Sequence, residues 1–207
     1  MSERLNWPVI EGAGVQRLEH EVVLDSSVVV KFFVREHDSQ KAEALFRRCQ
    51  DGFIRVVCPD LVFPECVNAF WAKVRQGVLE QEEAERQIEQ FLTLSPDTAE
   101  SAAAERIFPR PFTGRSPWRS PVRSSSSSRS PLVGGRPLTS IFGVVPVERL
   151  LPDAFRLACE VGHAVYDTVF LALAERRQIH LVTADAKFYR RVKSKHPRIL
   201  LLSELQP

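Results

Sequence analysis

The chain has 207 residues, 44% of them apolar, and a formal net charge of +2. An apolar share near the globular average excludes a wholly disordered chain, and so small a net charge excludes a nucleic-acid binder driven by bulk charge alone. The four cysteines, Cys49, Cys58, Cys66 and Cys159, form neither a C-x-x-C pair nor a short zinc spacing; they read as reduced thiols of a cytoplasmic protein. The opening stretch MSERLNWPVIEG lacks the apolar run of a signal peptide, and no segment approaches the length of a membrane span. A soluble protein with no membrane partner is therefore expected.

Residues 1–19 read as a loose tail. From Glu21 the pattern sharpens: EVVLD is a short β-branched run ending in an acid, and it predicts a buried strand. Helical signals follow over SSVVVKFFVRE and DSQKAEALFRRCQ, where Ala42, Leu45 and Phe46 fall at helical spacing. FIRVVC is the second strand candidate. Pro59 and Asp60 then open a long helical region, LVFPECVNAFWAKVRQG, which Gly77 closes, and EQEEAERQIEQFL predicts another amphipathic helix. In the second half FGVVPV predicts a strand and LPDAFRLACEVG a helix with Pro near its start and Gly at its end. YDTVFLALAERRQ predicts a helix, IHLVTAD a strand, AKFYRRVKSKH a basic helix and RILLL a last strand. Strands that alternate with helices and carry apolar runs, not alternating patterns, predict a mostly parallel sheet of four or five strands covered on both faces.

Residues 95–143 break this grammar. The stretch is rich in Ser, Arg and Pro, includes RSSSSSRS, and from Ile107 to Arg136 contains no lysine and no acid. So biased a composition cannot bury enough apolar area to offset its ordering entropy, and disorder is expected. The flanking pieces, 20–94 and 144–207, together have the size of one compact domain interrupted by an insertion. The insertion reads either as an arginine-rich arm adding salt-sensitive RNA affinity or as an accidental product, such as a local frameshift, with no selected role. The accidental or neutral reading is the favoured one.

Four acids stand at comparable points. Asp25 ends the first strand and Asp185 ends a late one, so in a parallel sheet both arrive at the edge where ligand sites of such folds lie. Asp167 sits in the first turn of a predicted helix and Glu65 near the start of another; helices begin at that edge because each follows a strand. Taken singly, Asp25 and Asp167 also serve as helix N-caps and Glu65 as a solvated acid. Together they point to a site. Two carboxylates about 4 Å apart repel by roughly 4 kcal/mol at an effective dielectric near 20. Several such pairs would threaten a fold whose stability is on the order of 10 kcal/mol. Protons or a divalent cation must relieve them, and all-oxygen ligands favour Mg²⁺ or Mn²⁺ over zinc. Such a site suits hydrolysis at phosphates.

VVLDSSVVVKFF, PDLVFPECVNA, YDTVFLALAE and LVTAD, in this order, resemble the PIN-domain ribonucleases, in particular the VapC-type toxins of toxin–antitoxin pairs. The resemblance covers nearly all of 20–94 and 144–207 and none of the Ser/Arg segment. It implies a three-layer α/β/α PIN-like domain and a metal-dependent endoribonuclease. Asp25, Glu65, Asp167 and Asp185 would be the catalytic, metal-binding quartet, with Thr183 and Ser26 as polar support. It also implies an antitoxin partner that covers the site, and frequent homodimers.

Basic residues should frame so acidic a hole, because RNA phosphates must be drawn towards it. The candidates are Lys31, Arg35, Lys187, Arg190 and Arg191, each of which also reads as a solvated helix residue. Tyr189 and Phe188 could stack on bases, with core packing preferred for Phe188, and Trp71 is assigned to packing or a dimer face. The first alternative is a PIN-like module that binds RNA or an antitoxin without cutting. A phosphatase of the aspartyl-phosphate kind ranks lower: its first strand would end in two acids spaced by one residue, and Ser27 occupies that position.

Overall fold

Glu21–Leu24 (β1) buries three consecutive apolar residues on both faces, and this short strand forms the centre of the sheet. In the computed structural model, residues 21–93, 132–133, 136–137 and 142–205 are described. The expectations for the N-terminal tail and for most of residues 95–143 lie outside them. After β1 come Arg55–Pro59 (β2), a short antiparallel pair Leu132–Val133 (β3) and Arg136–Pro137 (β4), then Phe142–Val145 (β5), His180–Thr183 (β6) and Ile199–Leu201 (β7).

The main sheet has five strands in the order β5-β2-β1-β6-β7, every pair parallel. This agrees with the four or five mostly parallel strands expected. Register sets Val22 opposite Val56 and His180, and Leu181 opposite Ile199. All four residues of β6 are buried, which requires cover on both faces. The chain builds outward from β1 through β2 to β5, then returns to the other side of β1 for β6 and β7. The reversal puts the C-terminal ends of β1 and β6 at the topological switch point, where α/β folds bind ligands.

Seven α-helices stand among the described residues: Ser26–Phe33 (α1), Ser39–Gln50 (α2), Val62–Arg75 (α3), Gln81–Thr93 (α4), Leu151–Val161 (α5), Val165–Arg177 (α6) and Ala186–Val192 (α7). Four of them share an aromatic cluster. Phe32 stacks on Phe46 with centroids 4.1 Å apart, and Phe33 meets Phe70 and Phe91 edge-on. Each fully buried ring of this kind contributes roughly 1.5–3 kcal/mol. The α6 helix is apolar around its whole circumference over Thr168–Ala174, all seven residues buried, so it is a core helix. It packs against α5, where Thr168 Oγ1 donates to Ala154 O at 2.9 Å.

Two details differ from expectation. The first helix was expected to run on through Arg35 and Glu36 but ends at Phe33. Ser39 Oγ donates to Val34 O at 3.0 Å and accepts Glu36 N–H at 2.8 Å, so the backbone is satisfied outside the helix. The α6 helix, moreover, follows another helix, not a strand. It leaves α5 through a 112° bend, beginning at Gly162, whose left-handed φ of 62° suits a residue without Cβ. No single helix among the described residues is long and apolar enough to cross a membrane.

Candidate active site

Asp25 follows β1 and caps α1, and at 7% exposure it is the most enclosed acid of the four. Its Oδ2 accepts hydrogen bonds from Ser27 Oγ, at 2.9 Å, and from Thr183 Oγ1. Its Oδ1 takes longer contacts from Ser26 Oγ, at 3.3 Å, and from Ser27 N–H, at 3.5 Å. Burial raises its pKa above the ordinary carboxylate value, and these donors oppose the rise. The polar support expected of Thr183 and Ser26 thus takes the form of direct hydrogen bonds to Asp25.

The other acids lie within electrostatic reach. Glu65, in the first turn of α3, is pushed from its ordinary 4.5 to about 7, first by burial and then by the charges of Asp25 and Asp167; the Ser26 hydroxyl pulls the other way. Ser26 therefore touches two acids. Asp167, in the first turn of α6, is also raised, by burial, by Asp25 and by Asp185. His163 Nε2, 2.8 Å from Asp167 Oδ2, counters that rise. Asp185 caps α7: its Oδ1 accepts Lys187 N–H at 2.6 Å and Phe188 N–H at 3.0 Å. The structure thus brings Asp25, Glu65, Asp167 and Asp185 into one coupled group.

The basic candidates divide. Lys31 donates to Glu36 Oε2 and His37 O, both at 3.0 Å, so its charge is already engaged. Arg191 donates to Gly162 O at 3.0 Å. Arg35, Lys187 and Arg190 are exposed. Phe188 is core, at 1% exposure, and its ring stacks on His163 with centroids 4.9 Å apart. Tyr189 is buried too, with its hydroxyl donating to Glu204 Oε2 at 2.7 Å, so it offers no face for a base. Trp71 is 55% exposed under the Arg75 guanidinium. Cys49, Cys58 and Cys66 are buried and Cys159 is exposed, all four as free thiols; burial lifts Cys49 and Cys58 to about 12.

Sequence reading missed His163 and the part played by Ser27. His163 lies before the extended N-cap Ala164, outside α6, so helical spacing gave no signal for it. Ser27 carried none.

A group of carboxylates in which Glu65 and Asp167 are raised by their acidic neighbours, with oxygen ligands only, is donor chemistry of the kind that suits a hard divalent cation. Among the described residues no group of three or more His, Cys, Asp or Glu side chains is placed to hold a metal ion together. Mg²⁺ is commonly held by one or two carboxylates and keeps its waters, so an open arrangement fits it.

A five-stranded all-parallel sheet in this order, flanked by helices, with acids at its switch point, defines an α/β protein with an open parallel sheet. The chain is a distant homologue of Ribonuclease VapC3 from Pyrobaculum aerophilum, 23% identical over 180 residues that cover 87% of this chain and 98% of that protein. The crystal structure of PAE2754 from Pyrobaculum aerophilum superposes with a TM-score of 0.48 at 16% identity, over 88% of this chain and 91% of that one. No family model matches the chain.

Proposed function

We propose that the protein is a metal-dependent endoribonuclease acting in the cytoplasm as the toxin of a toxin–antitoxin pair, a homodimer whose active site a cognate antitoxin covers. The observation that carries this reading is Glu65, driven to about 7 by burial and by the charges of Asp25 and Asp167. Acids so crowded at a sheet's switch point are relieved by protons or by a cation. Asp25, Glu65, Asp167 and Asp185 would hold Mg²⁺ or Mn²⁺. The bound cation supplies Lewis acidity towards a phosphodiester and acidifies an attacking water.

The chain's own residues do the rest. Ser27 and Thr183 orient Asp25, and Ser26 bridges Asp25 and Glu65. His163 Nε2 lies 2.8 Å from Asp167 Oδ2 and would pair with that carboxylate when protonated. With its pKa at about 7, Glu65 is only partly ionised near neutrality and would lose its remaining proton to bind a cation. Lys187 and Arg190, exposed on α7, together with Arg35, offer phosphate contacts at the rim.

Incubating purified full-length protein with RNA in Mg²⁺, Mn²⁺ or EDTA tests the reading. Cleavage is expected with either metal and not in EDTA, and Asp25→Asn or Asp167→Asn should abolish it. Two variants as active as the parent would overturn the site. RNA binding with no cleavage in any metal would leave the non-catalytic module instead. A small open reading frame upstream encoding a DNA-binding protein is the expected sign of the antitoxin.

A further inference from the structure

The two oxygens of Asp25 are not equivalent. Ser27 Oγ and Thr183 Oγ1 both donate to Oδ2. Each hydroxyl also accepts a backbone N–H from the turn after β6: Ala184 N–H reaches Ser27 Oγ at 3.0 Å, and Asp185 N–H reaches Thr183 Oγ1 at 3.0 Å. A hydroxyl has one proton to give. With amides occupying its acceptor side, that proton is directed at Asp25. Two such relays, one from α1 and one from the end of β6, converge on a single oxygen. A single donor would fix a distance and leave the carboxylate free to rotate. Among the described residues Oδ1 receives just the longer contacts, at 3.3 and 3.5 Å.

We propose that Ser27 is a positioning residue: together with Thr183 it pins Oδ2 of Asp25 to the turn that carries Asp185, leaving Oδ1 to face a divalent cation. This rests on reading the acids as a metal centre. A merely structural Ser27 would satisfy the Ala184 amide and leave cation affinity untouched, so affinity is the discriminating readout. Partners that orient a metal ligand typically change affinity by about 10–100-fold when removed.

The test is Mn²⁺ titration calorimetry on the full-length parent and on Ser27→Ala, Ser27→Cys and Ser27→Thr, with thermal melting in EDTA alongside. Alanine and cysteine are expected to weaken Mn²⁺ binding about 10-fold or more. Threonine, which keeps the hydroxyl, should restore the parent's affinity to within about twofold. Cysteine nearly preserves the volume of serine with a weak donor, so it carries the test even where alanine does not fold. Alanine and cysteine variants that bind Mn²⁺ as tightly as the parent overturn the positioning role and leave the metal centre standing. A parent that takes up no Mn²⁺ overturns the metal centre, and this role with it.

Discussion

Asp25 and Asp185 share one half of the site, at the ends of β1 and β6, and are held by hydrogen bonds that cross between those strands. Glu65 and Asp167 form the other half, on α3 and α6, where both are partly exposed and feel Asp25 through their charge. In the first half the Ser27 and Thr183 hydroxyls each link Asp25 to a backbone amide of the turn after β6. The second half is held in place by helix packing, and its carboxylates repel Asp25. One half is thus tied by several hydrogen bonds to Asp25 and Asp185, while in the other the Ser26 and His163 contacts only partly offset burial and repulsion.

The largest expected effect breaks the organised half. Asp25→Asn should lower RNA cleavage by roughly 1,000-fold or more, a loss of at least ~4 kcal/mol of transition-state stabilisation. Because burial already disfavours the Asp25 charge, the same variant should melt no lower than the parent in EDTA at pH 8. Melting well below the parent would show Asp25 to be a structural anion.

The next effect sharpens the charge-coupled half. A carboxyl raised in the folded chain contributes stability that is complete below its unfolded value, here 4.5, and is lost as pH climbs through about 7. The metal-free protein should therefore melt at progressively lower temperature between pH 5 and pH 8. Mn²⁺ should flatten that slope, and Glu65→Gln should remove much of it. A slope unchanged in Glu65→Gln would mean that Glu65 does not titrate as described.

A smaller change separates Asp167 from Glu65. His163→Ala removes the group that counters the raised pKa of Asp167, and should weaken Mn²⁺ binding about 10-fold by calorimetry. The smallest effect lies at the rim. Lys187→Ala with Arg190→Ala should weaken RNA binding at low salt and reduce the slope of log affinity against log salt by about one to two, with Mn²⁺ affinity unchanged.

Much of this was legible in the chain. β-branched runs of four or five residues, each closed by Pro or an acid, marked β1, β2 and β6, because a strand buried on both faces must be apolar throughout. The acids at their ends stood out because a strand tip in a parallel sheet is where polar chemistry becomes accessible. Asp167 was found for an incomplete reason: its helix was expected to follow a strand, and it reaches the site through the bend after α5.

The sequence by itself determined the element types, the parallel sheet and four acids worth suspecting, because periodicity and punctuation are local properties of a chain. Tertiary structure decided which oxygen of Asp25 is anchored, that Lys31 is engaged by Glu36 and not open to phosphate, and that His163 meets both Asp167 and Phe188. Hydrogen bonds and charge coupling depend on distances between residues far apart in the chain. Only packing the strands and helices together sets those distances.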